Sequence, residues 1–294
     1  DMVQSRGLGD VYKRQLVDPG DEVLIPEPYF PLYPPDVVIC GGQPSLYPCR
    51  FENGFVPKIE DLEERVNENT VAILYNFPSN PTGGNVTPEE RDELLAFAER
   101  NDLWVITDEV YDRIVYDCEH VSFLGAGYDK VIMINSFSKT FAMTGWRIGY
   151  ILSENEEAMT HITKMQYYVT ACSNDAMQYA VLEAMEKAPD YPAQMCQEFK
   201  ARRDLICDRL NAMEGVSCHI PTGAFYVFPK VDVPGMNSEE IAMALLEGGV
   251  LCSPGSAFGE AGEGHLRFAY TIGREDISRG MDRVEKVLAN LRSN

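Results

Sequence analysis

The sequence has no apolar run of the length that a bilayer-spanning helix requires. It also lacks the charged start and apolar centre of a secretory leader. It has no CxxC pair. The eight cysteines, Cys40, Cys49, Cys118, Cys172, Cys196, Cys207, Cys218 and Cys252, are scattered without zinc-type spacing, so no metal site is expected. Thiols placed this way act as small apolar fillers in a reduced compartment rather than as a disulfide framework, which predicts a cytoplasmic location. Basic residues are few: 25 Lys and Arg stand against 46 Asp and Glu, for a formal charge of −21. Such a surface repels nucleic acid and anionic membrane, so neither is expected as a partner. An anionic ligand would have to be held by local cations or backbone N–H groups. No Gly-rich strand–turn–helix fingerprint is present, which argues against a nucleotide-binding protein. No internal repeat or low-complexity tract occurs.

What is present suffices for a large core or two domains: 294 residues, 45% of them hydrophobic. Residues 1–15, "DMVQSRGLGDVYKRQ", carry neither helical nor strand periodicity and read as a non-native leader. From residue 16 strands and helices alternate. Short apolar segments rich in Val, Ile, Leu and Tyr predict strands at 22–26, 71–76, 103–108, 130–135 and 147–152. Between two of them, "TPEERDELLAFAERND" predicts a helix. Thr87 serves as N-cap, Pro88 as first helical residue and Glu90 as the partner in a capping box; Leu94, Leu95, Phe97 and Ala98 form its apolar stripe. The alternation predicts an α/β domain with a mostly parallel sheet and helices on both faces, spanning 16–188. Beyond it the pattern changes to a long helix at 192–213, strands near 217–220 and 225–229, a helix at 238–247, strands near 250–252 and 265–270, and a last helix at 275–291. This predicts a smaller α+β domain over 189–294.

In open α/β sheets ligands collect beyond the carboxyl ends of the strands. Strand 71–76 runs into "NFPSNPTGG", which supplies the amide of Asn80. Strand 103–108 ends on Asp108, with Tyr111 one turn further. Strand 130–135 ends in "SFSK", which offers Ser136, Ser138 and Lys139, and Arg147 opens the next strand. Each has an ordinary explanation. Asn-Pro-Thr-Gly is turn vocabulary, Asp108-Glu109 suits a helix start, and a lone Lys or Arg is usually solvated. Ordinary explanations do not say why all these groups fall at strand ends of one sheet. Pyridoxal phosphate needs such a set: a lysine for its aldehyde, a carboxylate for its ring nitrogen, neutral donors for its phenolic oxygen, and hydroxyls with an arginine for its phosphate.

Five motifs, "YNFPSNPTGG", "DEVYDRIVYD", "SFSKTFAMTGWRIGY", "PGSAFG" and "HLRFAYT", occur in this order, and over residues 16–294 the chain resembles the fold-type I pyridoxal-phosphate enzymes, specifically the class I/II aminotransferases. The resemblance implies that Lys139 is the Schiff-base lysine and proton carrier and that Asp108 faces the pyridinium nitrogen. Asn80 and Tyr111 would donate to the phenolic oxygen. Ser136, Ser138 and Arg147 would form the phosphate cup. Phe30, in "PEPYFPLY", would stack on the ring, with Tyr29 as the neighbouring alternative; Arg267 would grip the substrate α-carboxylate. Tyr226 is a further candidate for the pocket. The implied partners are an L-amino acid, a 2-oxo acid and a second copy of the chain. The family's upstream Gly-rich turn, which donates to the phosphate, has no counterpart in residues 1–15, so weak or absent activity of this chain is expected. Two other functions fit the same motifs: a carbon–sulfur β-lyase, which shares the lysine, aspartate and arginine, and the aminotransferase-like effector domain of a transcription regulator.

Overall fold

The computed structural model describes residues 16–293. The segment read as a leader, 1–15, lies outside the described residues. Six strands form the main sheet: β1 (Glu22–Glu27), β2 (Gln43–Pro48), β3 (Thr70–Asn76), β4 (Trp104–Asp108), β5 (Val131–Ser136) and β6 (Gly149–Leu152), in the order β2-β1-β3-β4-β5-β6. All neighbours pair in parallel except β5 and β6, which are antiparallel. Strand side chains alternate between two faces. Val23, Ile25, Ala72, Leu74, Ile106 and Ile132 point into one core. Leu24, Ile73, Tyr75, Val105 and Val131 point into another. Both faces are therefore buried, as the continuous apolar strands predict.

Helices cover the two faces. Helix α1 (Tyr33–Ile39) sets Tyr33 and Val37 into the first core, which also takes Ile162 from α5 (Glu156–Thr170). Between these lie α2 (Ile59–Glu63) and α3 (Pro88–Arg100), which pack on the second core. Helix α3 begins as its sequence predicts. Thr87 accepts from the Glu90 N–H, the Glu90 carboxylate accepts from the Thr87 N–H, and Pro88 follows the cap; Leu94, Leu95, Phe97 and Ala98 are all buried. The short α4 (Phe137–Thr140) follows β5 directly, and α6 (Asp175–Lys187) follows α5.

A third core gathers the later residues. It is built by α7 (Tyr191–Asn211), α8 (Ser238–Glu247) and α9 (Arg274–Ser293) around two small sheets. These are the pair β7 (Val216–Ser217) and β9 (Lys230–Val231), and the trio β10 (Ser253–Pro254), β11 (Leu266–Ala269) and β8 (Tyr226–Val227). Helix α9 buries Ile277, Met281, Val284 and Leu288, a stripe at helical spacing. Tyr111, Ile114 and Tyr116, from the segment after β4, reach into this core and tie it to the main sheet.

Three expectations need correction. Arg147 does not begin a strand: it precedes β6 by two residues, in the left-handed conformation (φ 59°, ψ 47°) that closes a 3₁₀ turn over Thr144–Trp146. The strand expected near 250–252 lies at Ser253–Pro254, and the one near 217–220 is confined to Val216–Ser217. Strand β2 went unanticipated because Pro44 and Pro48 punctuate it; it tolerates them as the outermost strand of its sheet.

The packing orders two substitutions. Phe97→Ala removes a fully buried ring and should lower the unfolding free energy by about 3–5 kcal/mol. Thr87→Ala removes only a cap and should cost about 1 kcal/mol. Urea denaturation of the two variants measures the difference; equal costs would contradict this account of the α3 face.

Candidate active site

The carboxyl ends of β3, β4 and β5 meet the start of β6 along one edge of the sheet. Asp108 is the last residue of β4. Its Oδ2 accepts from the Tyr33 hydroxyl at 2.7 Å and its Oδ1 from the Val110 N–H at 3.3 Å. The carboxylate is thus oriented from two sides. Glu109, next to it, is 1% exposed and does a different job from a helix-start acid. It accepts from the Thr107 hydroxyl (3.1 Å), the Ser122 hydroxyl (3.1 Å) and the Phe123 N–H (3.0 Å), and it contacts His120 Nε2 at 2.8 Å. A buried carboxylate needs such a set of donors. Glu109 thereby fixes the backbone that carries Asp108.

Lys139 sits in α4, one residue before its end. Ser136 caps that helix: its hydroxyl accepts from the Ser138 N–H at 3.1 Å and donates to the Ile148 carbonyl at 3.0 Å. The hydroxyl expected to face a phosphate is therefore also the brace that positions the lysine. Ser138 is buried beside it. The Lys139 amine lies 5.3 Å from the Phe225 ring centre and 5.8 Å from that of Tyr111. Burial lowers its proton affinity; Asp108 pulls the other way, and Arg147 and Arg267 add to the lowering. The four charged groups predicted from sequence therefore share one electrostatic neighbourhood. Arg147 donates to the Thr144 carbonyl at 2.7 Å, across its own turn.

Asn80 and Arg267 meet across 187 residues of sequence. Arg267 Nη1 donates to Asn80 Oδ1 at 2.9 Å, and Nη2 donates to the Ser253 hydroxyl at 3.2 Å. With its oxygen engaged by a cation, the Asn80 amide keeps its NH₂ half as a donor. The Arg267 guanidinium lies close to two rings, 4.7 Å from the Tyr226 centre and 4.8 Å from that of Phe258. Its Nε is buried without a hydrogen-bond partner. A buried cationic donor left this way is satisfied by an incoming anion.

Phe30 and Tyr29 part company. Phe30 meets Tyr33, the hydroxyl donor to Asp108, edge-on at 5.5 Å, whereas the Tyr29 N–H donates to the Phe258 carbonyl at 3.0 Å and its ring flanks Gly259. Two supporting residues stand in the quoted stretches without being singled out by their spacing. Tyr33 ends "PEPYFPLY" and opens α1. Asn76 ends β3, where its Nδ2 donates to the Asp108 carbonyl (3.0 Å) and its Oδ1 accepts from the Asn80 N–H (2.9 Å), locking two strand ends together. Tyr111 is buried, with its hydroxyl 3.0 Å from that of Tyr226, and burial holds both phenols above their ordinary proton affinity.

Lysine, carboxylate, amide, phenol and one arginine thus occupy one neighbourhood, a donor set that fits a pyridine aldehyde phosphate, and the buried Arg267 Nε, without a hydrogen-bond partner, suits a second anion beside it. Among the described residues no helix is long and apolar enough to cross a membrane, and no group of three or more His, Cys, Asp or Glu could hold a metal ion.

Residues 5–284 match the family model described as aminotransferase class I and II. An aspartate aminotransferase of Pyrococcus abyssi is 40% identical over 275 residues, which cover 92% of this chain and 70% of that protein. An aromatic-amino-acid aminotransferase of Thermococcus litoralis is 39% identical over 274 residues, 91% of this chain and 70% of that one. The crystal structure of an aromatic aminotransferase from Pyrococcus horikoshii superposes with a TM-score of 0.91 at 36% identity, covering 98% of this chain and 78% of that chain. With motifs, fold and site geometry in agreement, the chain belongs to the class I and II aminotransferases, enzymes that use pyridoxal phosphate.

Proposed function

We propose that this site moves an amino group between an L-amino acid and a 2-oxo acid, with Lys139 as its central amine. The observation that carries it is the placement of that amine: half-buried beside the Phe225 and Tyr111 rings, weakened as a proton holder, and under the charges of Asp108, Arg147 and Arg267 together. Pyridoxal phosphate, when bound, supplies an electron-withdrawing ring that stabilises negative charge at the substrate Cα. Every other task falls to the chain. Lys139 would take the aldehyde and, as a free amine, would move the Cα proton. Its lowered proton affinity keeps it basic yet unprotonated nearer neutral pH. Asp108, held by Tyr33 and Val110, would keep the ring nitrogen protonated. The Asn80 NH₂ group and the Tyr111 hydroxyl would donate to the phenolic oxygen. Arg147 and Ser138, with Ser136 as brace, would hold the phosphate, and Phe30 would cover the ring. Arg267 takes the α-carboxylate and so fixes the Cα–H bond relative to the Lys139 amine. The site then lies between a cofactor-binding unit, 16–188, and a smaller unit, 189–294, of a cytoplasmic homodimer. No observation favours the lyase or regulator alternatives.

Lys139→Met tests this directly. Turnover with any amino donor should vanish, together with the protein-linked cofactor absorbance; retained turnover refutes the role. The same variant has a pH signature without cofactor. The folded amine binds its proton less tightly than the unfolded one, whose pKa is ~10.4. Between the two values the unfolded chain holds more protons, so stability rises with pH; below both, the charged amine destabilises the fold by a constant amount. The Met variant should therefore be the more stable at neutral pH, and its advantage should shrink as the pH nears ~10.4. Urea midpoints across this range measure it, and a gap that widened with pH would contradict the buried-amine placement. Asp108→Asn should lower kcat by about 100-fold or more while changing 2-oxo-acid affinity far less. A variant that lost affinity alone would remove Asp108 from its role.

A further inference from the structure

Resting on the roles assigned above to Tyr111 and Arg267, we propose that Tyr226 is a positioning residue joining them. Its hydroxyl donates to Tyr111 and turns the Tyr111 proton toward the cofactor oxygen, while its ring face seats the carboxylate-binding guanidinium.

The placement follows from the small sheet. Tyr226 on β8 stands opposite Ala269 on β11, and Arg267 lies two residues along β11 on the same face. Diagonal neighbours on one face are within reach of aromatic and long side chains. The guanidinium accordingly lies 4.7 Å from the Tyr226 ring centre. At the far end of that ring, the hydroxyl is 3.0 Å from the Tyr111 hydroxyl, and both residues are buried. Each phenol has one proton, and one of the two protons closes the bond between them. If Tyr111 donated, it would have none left for a ligand. If Tyr226 donates, the Tyr111 proton is free to point into the site. The stronger acid of the pair donates, and the charges decide which that is. The Arg267 guanidinium lies 4.7 Å from the Tyr226 ring centre and favours release of that proton, whereas at Tyr111 the opposition of Asp108 outweighs the pull of the same guanidinium. Tyr226 is the donor, and Tyr111 is pre-set to give its proton to an acceptor in the site.

Four variants of the full chain, loaded with pyridoxal phosphate, test this: Y226F, Y226L, Y111F and the double variant Y111F/Y226F. The first readout is the pH midpoint of the bound cofactor's absorbance change. Loss of a donor to the phenolic oxygen disfavours its anionic form, so Y111F should raise the midpoint by about one pH unit and Y226F by about half as much. Because Tyr226 acts through Tyr111, the double variant should match Y111F alone. The second readout is the dissociation constant for propionate, a carboxylate without an amino group. Y226F keeps the ring and should leave it within about twofold, whereas Y226L loses the ring and should weaken it about three- to tenfold. A midpoint that moves in Y111F but not in Y226F, or shifts that add in the double variant, overturns the inference while leaving the site roles standing. An unmoved midpoint in Y111F, or failure of the unsubstituted chain to take up the cofactor, overturns the site roles and the inference with them.

Discussion

The hydrogen bond from Arg267 to Asn80 is the contact on which the site's assembly depends. It joins a strand of the late sheet to the turn after β3, across 187 residues. Each partner is held by its own element. Asn80 hangs from Asn76 at the end of β3, and Arg267 is braced by Ser253 on the adjoining strand. Asn76 also binds the backbone of Asp108. One chain of polar contacts therefore runs Ser253–Arg267–Asn80–Asn76–Asp108–Tyr33, linking the proposed grip for a substrate carboxylate to the acid proposed to face a ring nitrogen. Buried polar networks of this kind specify a single arrangement, because each member left unpaired would carry a desolvation cost.

Charge works against this site from outside and for it from inside. The chain as a whole carries −21, which disfavours an approaching phosphate or carboxylate. Lys139, Arg147 and Arg267 reverse the sign locally, and only Asp108 among the predicted site residues opposes them. Burial makes the lysine the one to yield its proton, and the two arginines, which do not titrate in this range, add to that effect against the pull of Asp108.

The groups gathered in the candidate site were legible in the sequence because the α/β topology assigns strand ends to ligands. Asp108 ends β4 and Lys139 follows β5 within a short capped turn, and both positions can be located by counting along apolar strands. The capping box of α3 was legible for the same local reason: Thr87 and Glu90 are three residues apart. What escaped was set by contact between distant elements. Tyr33 reaches Asp108 over 75 residues, and Tyr226 reaches Tyr111 over 115. No spacing rule encodes such pairs. Arg147 was placed wrongly inside a strand because "WRIGYIL" has strand composition; the left-handed backbone at Arg147 delays the strand to Gly149. Strand β2 escaped because proline argues against a strand unless the strand is known to lie at an edge.

The Arg267 environment also limits how a substrate can enter. A planar guanidinium offers its donors only at its edge. The rings of Tyr226 and Phe258 lie 4.7 and 4.8 Å from its centre, Nη1 donates to Asn80 and Nη2 to Ser253. The Nε donor remains buried without a partner. On the role proposed for Arg267, an incoming carboxylate would meet the guanidinium at its edge, where the Nε donor is left over. The two aromatic contacts and the bonds to Asn80 and Ser253 would then make a long, flexible side chain a fixed reference for the substrate, and the orientation of the Cα–H bond would depend on groups that take no part in the chemistry.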